Sequence, residues 1–289
     1  MQIKRVLPVL LGAALLLTGC SKENAGTDSA QSGETVQEEA VVAEVIVPMH
    51  LYYATDHGTE DPANLSDFFG QMEDAGTTVD KGPLLEFPLD ADTVIIDSPT
   101  EDITLEELQR IDEFFDGGGQ VVLLMPAQDT SVRFKYIERM LDELCIVLDY
   151  DRIESDKMRE DGYLPGEVIG PANGMTAIDN AADRTPAYFR NARSFHFTYG
   201  ERYGSVRQDS LIETQGAMRG VPCGGVEDDP ETYEEPLMEM VYARDDERLN
   251  CAVLAVGSSD FLLNENTGAE TCVAMRDWVY TTLYWFMRL

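Results

Sequence analysis

Short apolar runs alternate with segments of helical periodicity in the first half of the chain. Residues 93–97 and 120–125 are apolar runs of the kind that form strands buried on both faces of a parallel sheet. Between them, Thr104 and Glu107 have the spacing of a helix capping box, and glycines 117–119 end the helical pattern. This order predicts a β-α-β unit, whose two strands are parallel and joined by a right-handed crossover.

Further elements are predicted on both sides of this unit. Before it, a strand candidate at 41–53 is interrupted at Pro48, and 64–75 is helical in pattern. After it, a helix at 132–144 and a strand at 145–148 repeat the pattern. The last predicted elements are two strands joined by a charged turn and a helix, at 237–243, 250–256 and 272–287. Residues 151–236 are rich in glycine and proline and poorly periodic, which favours an inserted region of strands and loops.

Composition and charge exclude several classes of protein. With 289 residues, 44% of them apolar and 26% charged, the chain has the composition of a globular protein and not of a disordered, collagenous or polytopic membrane protein. The 21 Lys and Arg residues face 54 Asp and Glu residues, which gives a net charge of −33. Such a surface repels phosphate backbones, so no nucleic acid partner is expected.

The N-terminus has the pattern of a lipoprotein signal peptide. Lys4 and Arg5 precede an apolar run at 6–17, and Leu17-Thr18-Gly19-Cys20 places small residues before a cysteine. The alternative is an ordinary signal peptide with an incidental cysteine. We expect a signal peptide at 1–19, a lipid on Cys20, a disordered tether at 20–40 and one α/β domain at 41–289. The membrane contact is then the N-terminal lipid, on the extracytoplasmic face.

Polar residues follow the ends of four predicted strands, at 53–54, 96–97, 124–125 and 255–256. If these strands are parallel, the residues gather at the sheet edge where open α/β sheets bind ligands. The candidate ligand-binding residues are His57, Glu60, Asp97, Ser98 and Asp260. The alternative is that they only form turns, since Asp and Ser are common in any loop of this kind.

No catalytic residue is predicted. The strand at 120–125 runs into Pro126 with no nucleophile. Ser258 and Ser259 follow a strand as in a hydrolase elbow, but Phe261 stands where that turn needs its second glycine, so we expect these residues to tie down a loop. His57 lies near Glu60 without any consecutive metal-binding motif, which favours a satisfied turn histidine, and no metal or other cofactor is expected. The alternative is that His57 is a general base or a ligand to a metal or substrate.

The cysteines and the acidic run at 227–235 suggest no chemistry. An even number of cysteines outside the cytoplasm permits disulfides, but Cys145, Cys251 and Cys272 lie in apolar segments or at a helix start and are expected to be buried free thiols. Cys223, in a Pro-Cys-Gly-Gly sequence, is expected to be an exposed loop thiol. The acidic run lacks the pattern of a calcium loop and indicates a solvated loop.

Several segments in this order resemble the GldG-like auxiliary proteins of ABC transporters. Residues 52–60 (YYATDHGTE) are similar to that family's strand and Gly-His-Gly-Glu turn, with Asp56 where the turn usually has glycine. Residues 255–264 (AVGSSDFLLN) are similar to its Val-Gly-Asp-Ser-Asp-Phe run. Shorter similarities lie at 92–104, 114–124 and 211–214. Family members are commonly held by transmembrane helices, whereas here the anchor is Cys20.

The resemblance implies a fold and a role. The fold is an α/β domain with a mostly parallel open sheet and helices on both faces, similar to class I glutamine amidotransferases or flavodoxin. The role is that of an accessory protein beside an ABC permease and ATPase. We therefore expect a non-catalytic accessory lipoprotein. The alternatives are a ligand-binding lipoprotein that uses the groove at the strand ends, and an amidotransferase-like or hydrolytic enzyme.

Overall fold

The computed structural model describes residues 49–128, 132–168, 187–199, 202–215, 218–223, 231–233 and 237–266. The predicted signal peptide, Cys20, the tether, the start of the first predicted strand, Cys272 and the predicted helix at 272–287 lie outside these residues. Among the helices that are described, none has the length and apolar character to cross a membrane.

Fifteen strands and three helices are found in the described residues. The strands are β1 His50–Ala54, β2 Thr78–Gly82, β3 Thr93–Asp97, β4 Gln120–Leu124, β5 Ile146–Leu148, β6 Asp151–Ser155, β7 Tyr163–Val168, β8 Ala187–Arg190, β9 Phe195–Phe197, β10 Arg202–Tyr203, β11 Val206–Thr214, β12 Met218–Pro222, β13 Glu231–Tyr233, β14 Met238–Asp245 and β15 Cys251–Val256. The helices are α1 Ser66–Asp74, α2 Leu105–Asp116 and α3 Lys135–Glu143, and short 3₁₀ turns lie at Pro62–Leu65, Leu84–Glu86, Asp260–Leu262 and Asn264–Asn266.

The main sheet has the strand order β2-β1-β3-β4-β15-β14-β11-β7-β8. The pairs from β2 to β15 are parallel, and those from β15 to β8 are antiparallel. Counted along the chain, the five parallel strands follow the order 2-1-3-4-5, which is that of flavodoxin-like folds. The α/β fold class expected from the sequence is confirmed.

Helices cover both faces of the parallel half, as expected. On one face, Tyr53, Ile95 and Val122 belong to the same buried cluster as the apolar side of α1. On the other face, Val94 and Val121 pack in a second cluster with the apolar sides of α2 and α3. Successive residues of each strand therefore face helices on opposite sides of the sheet. Both faces are buried, which explains why the sequences of these strands are continuously apolar.

The predicted capping box and glycine stop of α2 are both present. The Glu107 amide donates to Thr104 Oγ1 at 3.2 Å, and the Thr104 amide donates to Glu107 Oε2 at 2.7 Å. At the other end, Gly118 has φ +79°, a left-handed conformation that glycine adopts without a steric penalty. These local signals fix where α2 begins and ends, and thereby place Glu107 at the loop side of the sheet.

The prediction that 145–148 repeats the parallel pattern was wrong. The strand found there, β5, pairs antiparallel with β9 and lies off the main strand path, and the parallel neighbour of β4 is β15. The described strands between β5 and β14 extend the main sheet or, as β6, β12 and β13, form a second antiparallel sheet. The expected hairpin near the C-terminal end is confirmed as the antiparallel pair β14 and β15.

Candidate ligand site at the switch point of the sheet

The candidate site lies where the direction of the strand order reverses, between β1 and β3. After β1 the chain continues through α1 on one face, and after β3 it continues through α2 on the other. The loops that leave the two strands consequently diverge and open a crevice at their carboxyl ends, the position where open α/β sheets bind ligands. The strand-end loops predicted to meet do lie at one edge, because β1, β3, β4 and β15 are parallel.

A buried hydrogen-bond network centres on Asp97, the last residue of β3. Tyr53 Oη donates to Asp97 Oδ2 at 3.1 Å, and Ser98 Oγ donates to Asp97 Oδ1 at 2.7 Å. The Ser98 and Ser259 hydroxyl oxygens lie 2.6 Å apart. The network thus joins the ends of β1, β3 and β15 through four side chains, and Asp97 itself is 1% exposed.

The surroundings of Asp97 favour its neutral form more than water does. Burial raises the pKa of the carboxyl to about 6, although the hydrogen bonds from Ser98 and Tyr53 oppose the shift and the charge of Glu60 adds to it. Burial and the nearby Asp97 also raise the pKa of the Tyr53 hydroxyl, which therefore stays a hydrogen-bond donor. A carboxyl with this pKa takes up a proton in mildly acidic solution, which changes the charge at the centre of the network.

Ser98 holds an unusual backbone conformation at the switch point. Its φ is +50°, a region that costs free energy for a residue with a side chain. Its amide donates to the Leu124 carbonyl at 2.8 Å, and its carbonyl accepts from Gln128 Nε2 at 3.2 Å. Bonds from β4 and the loop after it therefore keep the Ser98 hydroxyl directed at Asp97 and Ser259.

Glu60 connects this network to a cleft on the α1 side. The Glu60 carbonyl accepts from Tyr53 Oη at 3.1 Å, and its carboxylate accepts from Asn64 Nδ2 at 2.6 Å. The cleft measures about 320 Å³ and is lined by Glu60, Asn64, Leu263, Asn264 and Glu265. Two carboxylates and two carboxamides thus border a space next to the buried Asp97 network.

Asp260 belongs to a separate set of bonds that ties down the loop after β15. Its carboxylate accepts from Tyr163 Oη at 3.2 Å and from Ser258 Oγ at 3.0 Å, while Ser258 Oγ lies 2.8 Å from the Arg190 carbonyl. Burial raises the pKa of Asp260, and the bonds from Ser258 and Tyr163 oppose that shift. These contacts agree with the expectation that Ser258 and Asp260 hold a loop. Phe261 is buried in the core and packs with the α1 face.

His57 is bonded to the start of α2 and not to the Asp97 network. Its Nε2 lies 2.9 Å from Glu107 Oε1 and 3.7 Å from Asp56 Oδ2. Burial acts to raise the pKa of Glu107, but the Thr104 amide and His57 outweigh it and hold that pKa below its ordinary value. The imidazole therefore has its carboxylate partner on α2, fifty residues further along the chain, and a second carboxylate next to it in its own turn.

Of the five predicted site residues, the structure joins Asp97 and Ser98 directly and brings in Glu60 through its carbonyl oxygen. His57 and Asp260 lie at the same edge but bond to other partners. The sequence does not identify Tyr53 as a site residue, because its place in a predicted strand indicates only that it is buried. Ser259 is indicated by the sequence only as part of a possible hydrolase turn, because no local sequence pattern shows that its hydroxyl lies next to Ser98.

Two of the three expected buried thiols are confirmed, and one prediction about cysteine was wrong. Cys145 and Cys251 are free and buried. Cys223, expected to be exposed, is only 6% exposed. Its amide donates to the Tyr150 carbonyl at 2.9 Å and its sulfur lies 4.0 Å from Arg193 Nη2, so the end of β12 is packed against the region after β5. This packing is long-range and has no local sequence signal.

Comparisons with known proteins identify the fold but no family. No family model and no curated protein matches the sequence. A solved structure described as "mmIFT52 N-terminal domain" is similar with a TM-score of 0.59 and 12% identity, over 81% of this chain and 96% of that one. A cytoplasmic protein, STM1381, from Salmonella typhimurium LT2 matches with a TM-score of 0.50 and 11% identity, over 82% and 99% of the two chains.

A third structure, described as thua-like and from Bacteroides uniformis ATCC 8492, has a TM-score of 0.49 and 13% identity, over 80% of this chain and 91% of that one. At these identities, the two matches with TM-scores of 0.50 or more speak to the fold alone.

Proposed function

We propose that the protein is an extracytoplasmic, lipid-anchored accessory component of an ABC-type transport or envelope system, and that it acts by contact and not by catalysis. The non-catalytic role is supported by the hydrogen bonds of the serine and histidine side chains at the strand ends. Ser259 Oγ is 2.6 Å from Ser98 Oγ, and His57 Nε2 is 2.9 Å from Glu107. Among the described residues, the hydrogen-bond partners of these two serine hydroxyls are each other and the Asp97 carboxylate, and neither hydroxyl is bonded to a histidine that could act as the general base of a serine hydrolase.

The anchoring and transporter parts of the proposal rest on the sequence. The pattern ending at Cys20 supports lipidation, and the ordered similarity at 52–60 and 255–264 supports a role beside an ABC permease. Loss of Lys4 and Arg5 with the signal peptide leaves 19 Lys and Arg against 54 Asp and Glu, a net charge of −35. Such a charge favours contact with basic loops of a partner and weakens that contact in salt.

Co-purification tests this proposal. The full chain, tagged at its C-terminus and extracted from its native membranes, is expected to enrich a permease and an ATPase at low salt and to lose them near 1 M salt, where the screening length is about 3 Å. Cys20→Ala serves as the anchoring control and should remain unprocessed or be released. Recovery of the chain without any ABC subunit would contradict the transporter role. Hydrolysis of an ester or amide that Ser259→Ala abolishes would contradict the non-catalytic role.

A second candidate function, ligand binding, is favoured by the cleft beside Glu60. Its two carboxylates and the overall negative charge suit a small cationic molecule. A polyamine such as spermidine is expected to raise the melting temperature of the full chain, because a ligand that binds only the folded state stabilises it. Glu60→Gln should remove the shift, whereas Glu213→Gln, on β11 and outside the cleft, should keep it. An equal shift in both variants would show only general charge screening.

A further inference from the structure

We propose that Asp56, His57 and Glu107 form a binding site for a divalent transition-metal ion such as Zn²⁺ at the end of β1. One ligand atom from each residue lies within 4.8 Å of the other two. The set combines an imidazole nitrogen with two carboxylate oxygens, which are ordinary ligands of Zn²⁺ in proteins. The three residues come from the turn after β1 and the first turn of α2, so the fold creates the site and no consecutive motif marks it.

Two of the three distances between ligand atoms are close to those around one shared ion, and the third, between the Asp56 and Glu107 carboxylates, is within 4.8 Å. Zn²⁺ lies about 2.0 to 2.2 Å from nitrogen and oxygen ligands, so two ligands of a tetrahedral site are roughly 3.3 to 3.6 Å apart. His57 Nε2 is 2.9 Å from Glu107 Oε1 and 3.7 Å from Asp56 Oδ2, values that bracket this separation. Shifts of a few tenths of an ångström would therefore bring both pairs to coordination geometry. Binding requires the neutral imidazole with its proton on Nδ1, so the ion replaces the proton through which Nε2 is bonded to Glu107.

The three ligands are held in place by bonds from neighbouring residues. Glu107 Oε2 accepts the Thr104 amide, which leaves Oε1 directed at His57. The Asp56 carboxylate accepts the Leu84 amide at 3.0 Å. Bonds of this kind orient metal ligands and reduce the rearrangement that binding requires.

The turn that carries His57 is itself constrained. His57 has φ +60°, a conformation that costs free energy for a histidine, and its carbonyl accepts the amides of Thr100 and Glu101. At Gly58 a Cβ atom would lie 1.9 Å from Thr100 Oγ1, so the turn is packed directly on the loop before α2. The turn that carries His57 and the side chain of Glu107 are thus both bonded to the loop that precedes α2.

The other two histidines provide an internal comparison. His50 is bonded to Asp80 and His196 to Asp149, but neither belongs to a set of three converging ligands among the described residues. The side chains of His57 and Glu107 are 10% and 7% exposed, whereas His196 is 55% exposed. The side chain of Asp56 is 31% exposed, so one side of the site is open for water to complete the coordination.

The test is calorimetric titration of the full chain in detergent with Zn²⁺, together with the visible absorption of bound Co²⁺. His57→Asn removes the imidazole while keeping a residue type that tolerates positive φ. Asp56→Asn removes a charge while keeping an acceptor for the Leu84 amide. His196→Asn is the matched control, because it removes an imidazole from a histidine–carboxylate pair without a third ligand.

We expect one Zn²⁺ per chain, and an affinity at least about tenfold lower in His57→Asn and Asp56→Asn, with loss of the Co²⁺ bands. His196→Asn should bind as the parent does. Absence of Zn²⁺ binding by the parent, or equal weakening in all three variants, would overturn the site and leave His57 and Glu107 as a structural pair. Circular dichroism without metal checks folding, and if His57→Asn does not fold, Asp56→Asn decides.

Discussion

Replacing the buried Glu239 of β14 with methionine is expected to stabilise the protein. Glu239 is 0% exposed, and neither of its carboxyl oxygens has a hydrogen-bond partner among the residues that the structure describes. A Cβ atom built on Gly166 would lie 2.8 Å from Glu239 Oε2 and 2.7 Å from Ile212 Cγ2, so the carboxyl points into an apolar space that exists because residue 166 is glycine. An ionised carboxylate is strongly disfavoured in such surroundings.

The stabilisation has two parts, one of which depends on pH. Burial raises the pKa of Glu239 well above its ordinary 4.5, so the folded protein keeps a proton that the unfolded chain releases. The contribution of Glu239 to stability is therefore most favourable below about pH 4.5 and becomes less favourable as pH rises towards the raised pKa, by roughly 1 to 2 kcal/mol per pH unit. In addition, a neutral carboxyl buried without a partner costs about 1 to 3 kcal/mol at any pH. Methionine, of similar length and apolar, removes both.

Urea unfolding of the parent, Glu239→Met and Glu239→Gln at about pH 5 and pH 7.5 measures the two parts separately. Glutamine removes the ionisation but keeps an unpartnered polar group, so it should stabilise at the higher pH and change little at the lower one. Methionine should stabilise at both, and more at the higher pH. If the difference in unfolding free energy between the parent and either variant does not change with pH, Glu239 is not a buried acid that stays protonated in the folded protein.

Four further outcomes are expected. Cys20→Ala should abolish acyl labelling of cells expressing the full chain. The carboxyl carbon of Asp97 should titrate in NMR spectra with a midpoint of about 6, a signal that Asp97→Asn removes. Leu123→Ala, in the buried β4, should cost about 2 to 5 kcal/mol in urea unfolding. Gly257→Ala should lower the free energy of unfolding by about 1 to 3 kcal/mol or more, because its Cβ would lie 2.0 Å from the Arg193 carbonyl oxygen. Its control is Gly70→Ala in α1, where the added Cβ meets no atom within 4 Å and should raise the free energy of unfolding by up to about 1 kcal/mol.

The parallel half of the fold could be predicted because its signals are local. The apolar runs at 93–97 and 120–124 and the capping box between them need no knowledge of distant residues. The strand at 146–148 has only three residues, and its sequence does not indicate whether it extends the parallel sheet or pairs with a later segment. Its antiparallel partner, β9, lies about fifty residues further along the chain, so its pairing was missed.

The same limit applies to the candidate site. Topology alone predicts that the residues after parallel strands share an edge, which is why Asp97, Ser98 and Glu60 could be selected. Which of them bond depends on the backbone of each loop. The left-handed turn at Ser98 directs its hydroxyl to Asp97, and the left-handed turn at His57 directs its imidazole to Glu107. Positive φ at a residue other than glycine is set by surrounding contacts and has no reliable sequence signal.

Asp56, at which this chain differs from the GldG-like turn that residues 52–60 resemble, supplies part of the proposed metal site. Asp56 stands where that turn usually has glycine, and its carboxylate is the ligand that turns a histidine–glutamate pair into a set of three. Glycine at this position would leave the Leu84 amide without its side-chain acceptor and His57 with one carboxylate instead of two. Metal binding, where titration shows it, is therefore expected to be a property of this chain that the resembled turn does not supply. The accessory role proposed from the resemblance does not depend on it.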